Sequence, residues 1–180
     1  MDSVIGNKSG KVLLTMFSRN TNLLLAFLRD HNTARSVLDV FNGLYAMFGR
    51  ETYCRLFPVI LTDRGSEFSN PVPIEQDEND ELRSLVFYCN PSAPYQKGGI
   101  EVAHELVRRV LPKGKSFDDL QQEDIDLMLS HINSYKRGKL NSRSAYQLFN
   151  FIYGDDILPK LNIREIEAND IVLSPKLLKK

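Results

Sequence analysis

Apolar side chains recur at helical spacing from Ala34 through Val37, Leu38, Phe41, Leu44 and Tyr45 to Phe48, and Phe57 to Leu61 then forms a continuous apolar run of strand length. This pairing constrains the fold more than any other feature of the chain. An amphipathic helix has to bury its stripe, and an uninterrupted apolar strand suits the middle of a sheet covered on both faces. A helix laid across a sheet satisfies both. Asn32 and Thr33 are capping candidates at the helix start. Gly49 fits the left-handed position that closes a helix, and Asp63 sits just past the strand.

The rest of the pattern extends this frame. Met1 to Ile5, Val12 to Phe17 and Leu23 to Leu28 read as three short strands of an antiparallel meander, with turns at Gly6–Gly10 and at Ser18–Thr21. Pro71 to Asp80 shows no element, and Leu85 to Cys89 is the next strand candidate. Asn90-Pro91 and Ala93-Pro94 break the chain. Helices are expected over Lys97 to Leu111, around Ile125 to Tyr135, and over Tyr146 to Tyr153. Strands, one crossover helix, another strand and then helices make an α/β fold, a mixed sheet flanked by helices, in the order of the ribonuclease-H-like architecture.

Composition narrows the function classes. The 180 residues suffice for one domain with a real core. Lys plus Arg equals Asp plus Glu at 23 each, whereas an autonomous DNA-binding domain is usually clearly basic. No apolar stretch reaches the roughly 20 residues of a membrane span, and the start does not read as a signal peptide. Cys54 and Cys89 are too few and too far apart for a cysteine zinc site, and read as buried free thiols in a reducing compartment.

Three acidic residues stand in settings that single them out: Asp2 in MDSVIG, Asp63 in VILTDRGSEF, and Glu101 in YQKGGIEVAHELVRRVLPKG. Each also has a plain reading. Asp2 could be a surface acid, and Asp63 a turn former in Asp-Arg-Gly. On a helical projection Glu101 lies opposite the apolar side Val102, Ala103, Leu106, Val107 and Val110, among His104, Glu105, Arg108 and Arg109, as on any solvated face. Lys97, Arg108, Arg109, Lys113 and Lys115 cluster around this helix. They could contact phosphates or simply complement a helix dipole.

Read together, these segments resemble transposases of the IS-thirty insertion-sequence family, in the DDE, retroviral-integrase-like group. The carrying segments also include VLLTMFSR, FLRDHNTARSVLDVFN, FYCNPSAPYQKGGIE and HINSYKRGKLNSRSAYQLF, so the likeness spans almost the whole chain. The resemblance maps the family's three carboxylates onto Asp2, Asp63 and Glu101. It implies metal-dependent cleavage and strand transfer of DNA, with two Mg²⁺ or Mn²⁺ ions held by hard oxygen donors. It further implies DNA contact through Arg64, Lys97, His104, Arg108, Arg109, Lys113 and Lys115, with element ends and target DNA as partners, self-association in the active assembly, and a bacterial cytoplasmic, nucleoid-associated location. Arg64 and Val102 stand where the family carries asparagines.

The resemblance also sets the expected organisation. Residues 1–153 would form the integrase-like core, helical from about 118, with a tail over 154–180. The family's amino-terminal helix-turn-helix region and most of the first strand would lie ahead of Met1. The alternative is a catalytically inactive remnant that binds DNA or a transposase subunit. Clustered carboxylates repel one another without a cation, so each is expected to hold its proton more tightly than an isolated acid.

Overall fold

The computed structural model describes residues 1–7, 10–90 and 93–178. Lys8 and Ser9 of the first turn, Pro91 of the Asn90-Pro91 break, and the terminal Lys179 and Lys180 lie outside the described residues. Strands β1 (Asp2–Ile5), β2 (Val12–Phe17) and β3 (Leu24–Arg29) form the expected meander, with Asp2 opposite Thr15 and Thr15 opposite Ala26. Val12 to Met16 are all buried, so β2 is its central, two-sided strand.

Helix α1 (Ala34–Leu56) starts at Thr33, whose side chain accepts from the Ser36 amide while Ser36 bonds back to the Thr33 amide. Its stripe Val37, Phe41, Leu44 and Phe48 is buried as expected. Gly49 adopts φ 71°, the left-handed turn anticipated there, yet the chain re-enters helix beyond it. The second segment is anchored by Tyr53, which is fully buried with its ring against Tyr45 and Phe57.

Strand β4 (Val59–Thr62) pairs in parallel with β5 (Leu85–Tyr88), Val59 opposite Leu85. The reading of β4 as buried on both faces is corrected: Ile60 and Thr62 are buried, but Val59 is 58% exposed. Among the described residues β4 pairs with β5 alone, and its Val59 face lies partly uncovered. β1 and β4 do not pair as strands, and the two sheets meet where the Met1 amino group donates to the Leu61 carbonyl. Between β4 and β5 the acidic stretch forms a one-turn helix, α2 (Val72–Glu75), where no element was expected.

Helices α3 (Gly98–Val110), α4 (Gln122–Ser134) and α5 (Ala145–Tyr153) follow the expected bounds closely, and a one-turn α6 (Ile157–Lys160) comes next. α4 packs on β3 and carries polar side chains that bond to backbone on two sides. Asn133 is fully buried: it accepts from the Leu24 amide at 2.9 Å and donates to the Leu24 carbonyl at 2.8 Å. Gln122 accepts from the Leu28 amide and donates to the Ala26 carbonyl. Ser130, Ser134 and His131 accept from the amides of Arg164, Ile166 and Val172, pinning the segment after α6.

Candidate functional site

Asp2 opens β1 and Asp63 follows β4, so the ends of the two sheets bring them together. The Lys97 ammonium, from the 3₁₀ turn Pro94–Lys97 before α3, lies between them, 3.1 Å from Asp2 Oδ2 and 2.9 Å from Asp63 Oδ2. The other oxygen of each carboxylate is fixed locally. Asp2 Oδ1 accepts from the Ser3 amide at 2.9 Å, and Asp63 Oδ1 accepts from the Gly65 amide at 3.0 Å. Gly65 is needed for space, because a Cβ there would sit 2.5 Å from Glu67 Oε2 and 3.2 Å from Asp63 Oδ1.

At Asp63 the electrostatics run against the expected rise of a clustered carboxyl. Partial burial pushes the Asp63 carboxyl up, but the Lys97 ammonium and the Gly65 amide outweigh it and hold it below its ordinary value. Burial likewise pushes Lys97 down, and its bonds to Asp63 and Asp2 bring it to a net rise. The reason for the correction is the ammonium between the two acids: the carboxylates meet a cation before they meet each other.

Glu101 does not join them. It is exposed in the first turn of α3 and makes no hydrogen bond or ion pair among the described residues. Its position is nonetheless close, for Lys97, Glu101, His104 and Arg108 follow one another at spacings of four, three and four along one stripe. His104 faces the β1–β2 pair. Thr15 Oγ1 donates to the Asp2 carbonyl at 2.9 Å, which leaves it to accept at 2.8 Å from His104 Nε2 and assigns the proton to that nitrogen. Burial lowers the His104 pKa further than Asp2 raises it, so the ring is neutral.

The remaining expected DNA-contact residues split in two. Lys97 is committed to the aspartates, His104 to Thr15, and half-buried Arg108 donates to the Ile5 carbonyl at 2.9 Å. Arg64, Arg109, Lys113 and Lys115 are exposed. Arg64 makes no ion pair among the described residues, so it does not occupy the aspartate site.

Two groups beside this site escaped the sequence reading. Glu67 is buried next to Asp63 and accepts from Asn32 Nδ2 at 3.1 Å. Burial raises its pKa, but its own backbone amide, Ser3 and Asn32 bring it to a net fall. Arg29, 4% exposed, donates to Ser36, Ser3 and Asn32 and ties β1, β3 and the start of α1 to the Glu67 turn. Burial lowers the Arg29 pKa to about 10, and the group stays cationic. Glu67 lies in the same TDRGSEF segment as Asp63, and that adjacency was the available signal.

The donor set decides what the site can hold. Two carboxylates converging on one ammonium suit one divalent cation with water and phosphate completing its shell. They do not match a three-carboxylate, two-ion centre, and among the described residues no group of three His, Cys, Asp or Glu side chains is arranged to hold a metal.

No family model matches the chain. The transposase of insertion sequence element IS1086 from Cupriavidus metallidurans is 35% identical over 143 residues, covering 79% of this chain and 39% of that protein. The transposase of IS4351 from Bacteroides fragilis is 24% identical over 149 residues, 83% of this chain and 43% of its own length. The chain is a transposase/integrase-like domain. It spans less than half the length of these relatives. The crystal structure of the BIV integrase catalytic core domain superposes with a TM-score of 0.54 at 20% identity, over 85% of this chain and 90% of that one. The fold of this transposase/integrase-like domain is therefore the ribonuclease-H-like mixed α/β architecture expected from the order of its elements. Among the described residues no helix is long and apolar enough to cross a membrane.

Proposed function

We propose that this chain is an IS-thirty-type transposase core that binds DNA or a transposase subunit and, in the arrangement it adopts, does not cut DNA. The observation that carries this reading is the Lys97 ammonium between Asp2 and Asp63, with Glu101 outside the cluster. A cation supplied by the chain itself neutralises the two acids that would otherwise attract metal. The exposed Arg64, Arg109, Lys113 and Lys115 are then the groups left to meet phosphates, as a weak, sequence-independent and salt-sensitive contact.

A second reading is catalysis, favoured by the convergence of Asp2 and Asp63 and by the placing of Glu101 one helical turn from Lys97. In that reading Asp2, Asp63 and Glu101 hold Mg²⁺ or Mn²⁺, which would activate the attacking oxygen and stabilise the leaving one. Lys97 would have to leave the aspartates, and Glu101 would have to turn towards them.

Calorimetric titration of Mn²⁺ separates the two. The first reading expects weak binding by the unaltered chain and binding at least about tenfold tighter in Lys97→Met, as an ammonium competitor is removed. Tight binding by the unaltered chain, lost in Asp63→Asn, would establish the second. DNA binding is read in parallel by fluorescence anisotropy across a salt series. A flat salt response would remove the phosphate-contact role.

A further inference from the structure

The charges of this neutral chain are unevenly placed. Asp and Glu number 23 in 180 residues, yet none occurs between Asp126 and Asp155. That stretch carries four cations within eight residues, Lys136, Arg137, Lys139 and Arg143. They lie in the connection from α4 to α5, which is a closed hairpin. Arg137 and Arg143 face each other as an antiparallel bridge, with the Arg137 amide donating to the Arg143 carbonyl at 3.1 Å. Inside it the Leu140 amide donates to the Arg137 carbonyl, the Asn141 amide to the Gly138 carbonyl, and the Arg143 amide to the Leu140 carbonyl. Asn141 and Ser142 take the left-handed region, at φ 52° and 60°, and turn the chain back sharply. The Arg137 side chain holds the hairpin to the body of the fold. It donates to the Ile132 carbonyl and, across the molecule, to the Asn22 carbonyl at the end of the β2–β3 turn. That turn carries Arg19 and belongs to a second acid-free stretch, between Asp2 and Asp30.

The other three cations have no such task. Lys136, Lys139 and Arg143 are exposed and make no ion pair or side-chain hydrogen bond among the described residues. Glu165 and Glu167 flank Ile166, whose amide reaches Ser134 at the base of the hairpin, but Glu165 accepts from Gln147 and neither acid pairs with a hairpin cation. Lys and Arg with Asn141 and Ser142 between them are the side-chain types that meet phosphate oxygens. A hydrogen-bonded hairpin presents them with little left to order on binding. An acidic protein surface would call for an apolar centre to the contact. From Lys136 to Arg143 the apolar side chain is Leu140 alone, and it is half-buried.

We propose that the α4–α5 hairpin is a second phosphate-binding surface for DNA, apart from the basic end of α3. Lys136, Lys139 and Arg143 contact the DNA backbone, and Arg137 positions them. The two surfaces lie at opposite ends of β2, whose six residues span roughly 20 Å. Gly6, ahead of β2, lies against the Lys115 carbonyl, whereas Asn22, past β2, receives Arg137. The assignment rests on the DNA-contact reading given above and adds a surface to it. Contact through phosphates alone carries no sequence preference.

The test follows the anisotropy of a labelled DNA duplex across a salt series. The unaltered chain is compared with a hairpin variant, Lys136→Gln with Lys139→Gln and Arg143→Gln, and with an α3 variant, Arg109→Gln with Lys113→Gln and Lys115→Gln. The hairpin variant should bind at least about tenfold more weakly at low salt, and the slope of log affinity against log salt should shrink by about 2 to 3, as three phosphate contacts are removed. Its melting temperature should hold, because the three side chains are exposed and unpaired. The α3 variant should show a loss of its own, and the two losses should add. Unchanged affinity and slope in the hairpin variant overturns the proposal. If the α3 variant weakens binding in the same series, the DNA-contact reading stands and the hairpin assignment alone falls. Absence of salt-sensitive binding by the unaltered chain removes both. A lowered melting temperature in the hairpin variant would give these cations a structural role and overturn the proposal. So would equal affinity for a polyglutamate peptide of matched charge that the hairpin variant loses, since the hairpin would then be a surface for any polyanion.

Discussion

The two edges of the meander are finished in opposite ways. Along β3 the Leu24 amide and carbonyl, the Ala26 carbonyl and the Leu28 amide are met by Asn133 and Gln122, two amide side chains that stand in for part of a strand. Along β2 beyond Thr15, and along the facing edge of β4, the equivalent groups look into an apolar cavity. An amide side chain presents an N–H and a carbonyl in the spacing of a peptide group, so a helix that carries one can close a strand edge. Where no such residue is supplied, the edge keeps backbone groups that only a neighbouring strand can meet. The difference separates an edge closed by side chains from one without them, and substitutions can test each half of it.

The largest effect is expected at Asn133. Asn133→Leu leaves the Leu24 amide and carbonyl buried without partners, and should cost about 2–4 kcal/mol in denaturant unfolding. A loss under about 1 kcal/mol would mean that water replaces the side chain, and the contrast between the edges would weaken. Gln122 is less deeply buried, and Gln122→Ala should cost roughly 1–2 kcal/mol.

His131 offers a pH-dependent version of the same device. Its Nδ1 accepts from the Val172 amide at 3.1 Å, which requires the neutral ring. Burial, aided by Arg164, lowers its pKa in the folded protein. The unfolded chain then binds the proton more readily. The contribution to stability is present above the unfolded value of about 6.5 and is lost as pH falls through it towards the folded value. Melting temperatures between pH 7.5 and pH 5 should fall less steeply in His131→Leu than in the unaltered chain, and parallel curves would show that the contact carries no stability.

At the open edge the smallest effect is expected. Val59 is exposed and its amide faces the cavity, so Val59→Pro should change stability by no more than about 0.5 kcal/mol. A larger loss would place that amide in the β4–β5 ladder.

How much of this was legible beforehand follows from what periodicity encodes. The meander, the Val37–Phe48 stripe, β5 and helices α3 to α5 were readable because apolar spacing reports burial directly. The resumption of helix after Gly49 was not, since a left-handed glycine looks the same whether a helix ends or kinks. The exposure of Val59 was missed because an apolar run does not say which of its faces another element covers. Asp2 and Asp63 were found as motif members, and the structure brings them together. Lys97 was read as a phosphate contact, yet it bridges both acids: sequence shows a lysine near an acid motif but not the distance of its ammonium from two oxygens. Gln122, Asn133 and His131 sit on a helix whose apolar stripe drew the reading, and a polar side chain bonded to distant backbone leaves no periodic signal.

The most direct test of the account is a nicking assay. The unaltered chain is incubated with supercoiled plasmid in millimolar Mn²⁺, beside Asp63→Asn. With Lys97 between the aspartates and Glu101 outside the cluster, the plasmid is predicted to stay supercoiled in both. Relaxation by the unaltered chain that Asp63→Asn abolishes would contradict the account, and would show that Lys97 yields the aspartates to metal.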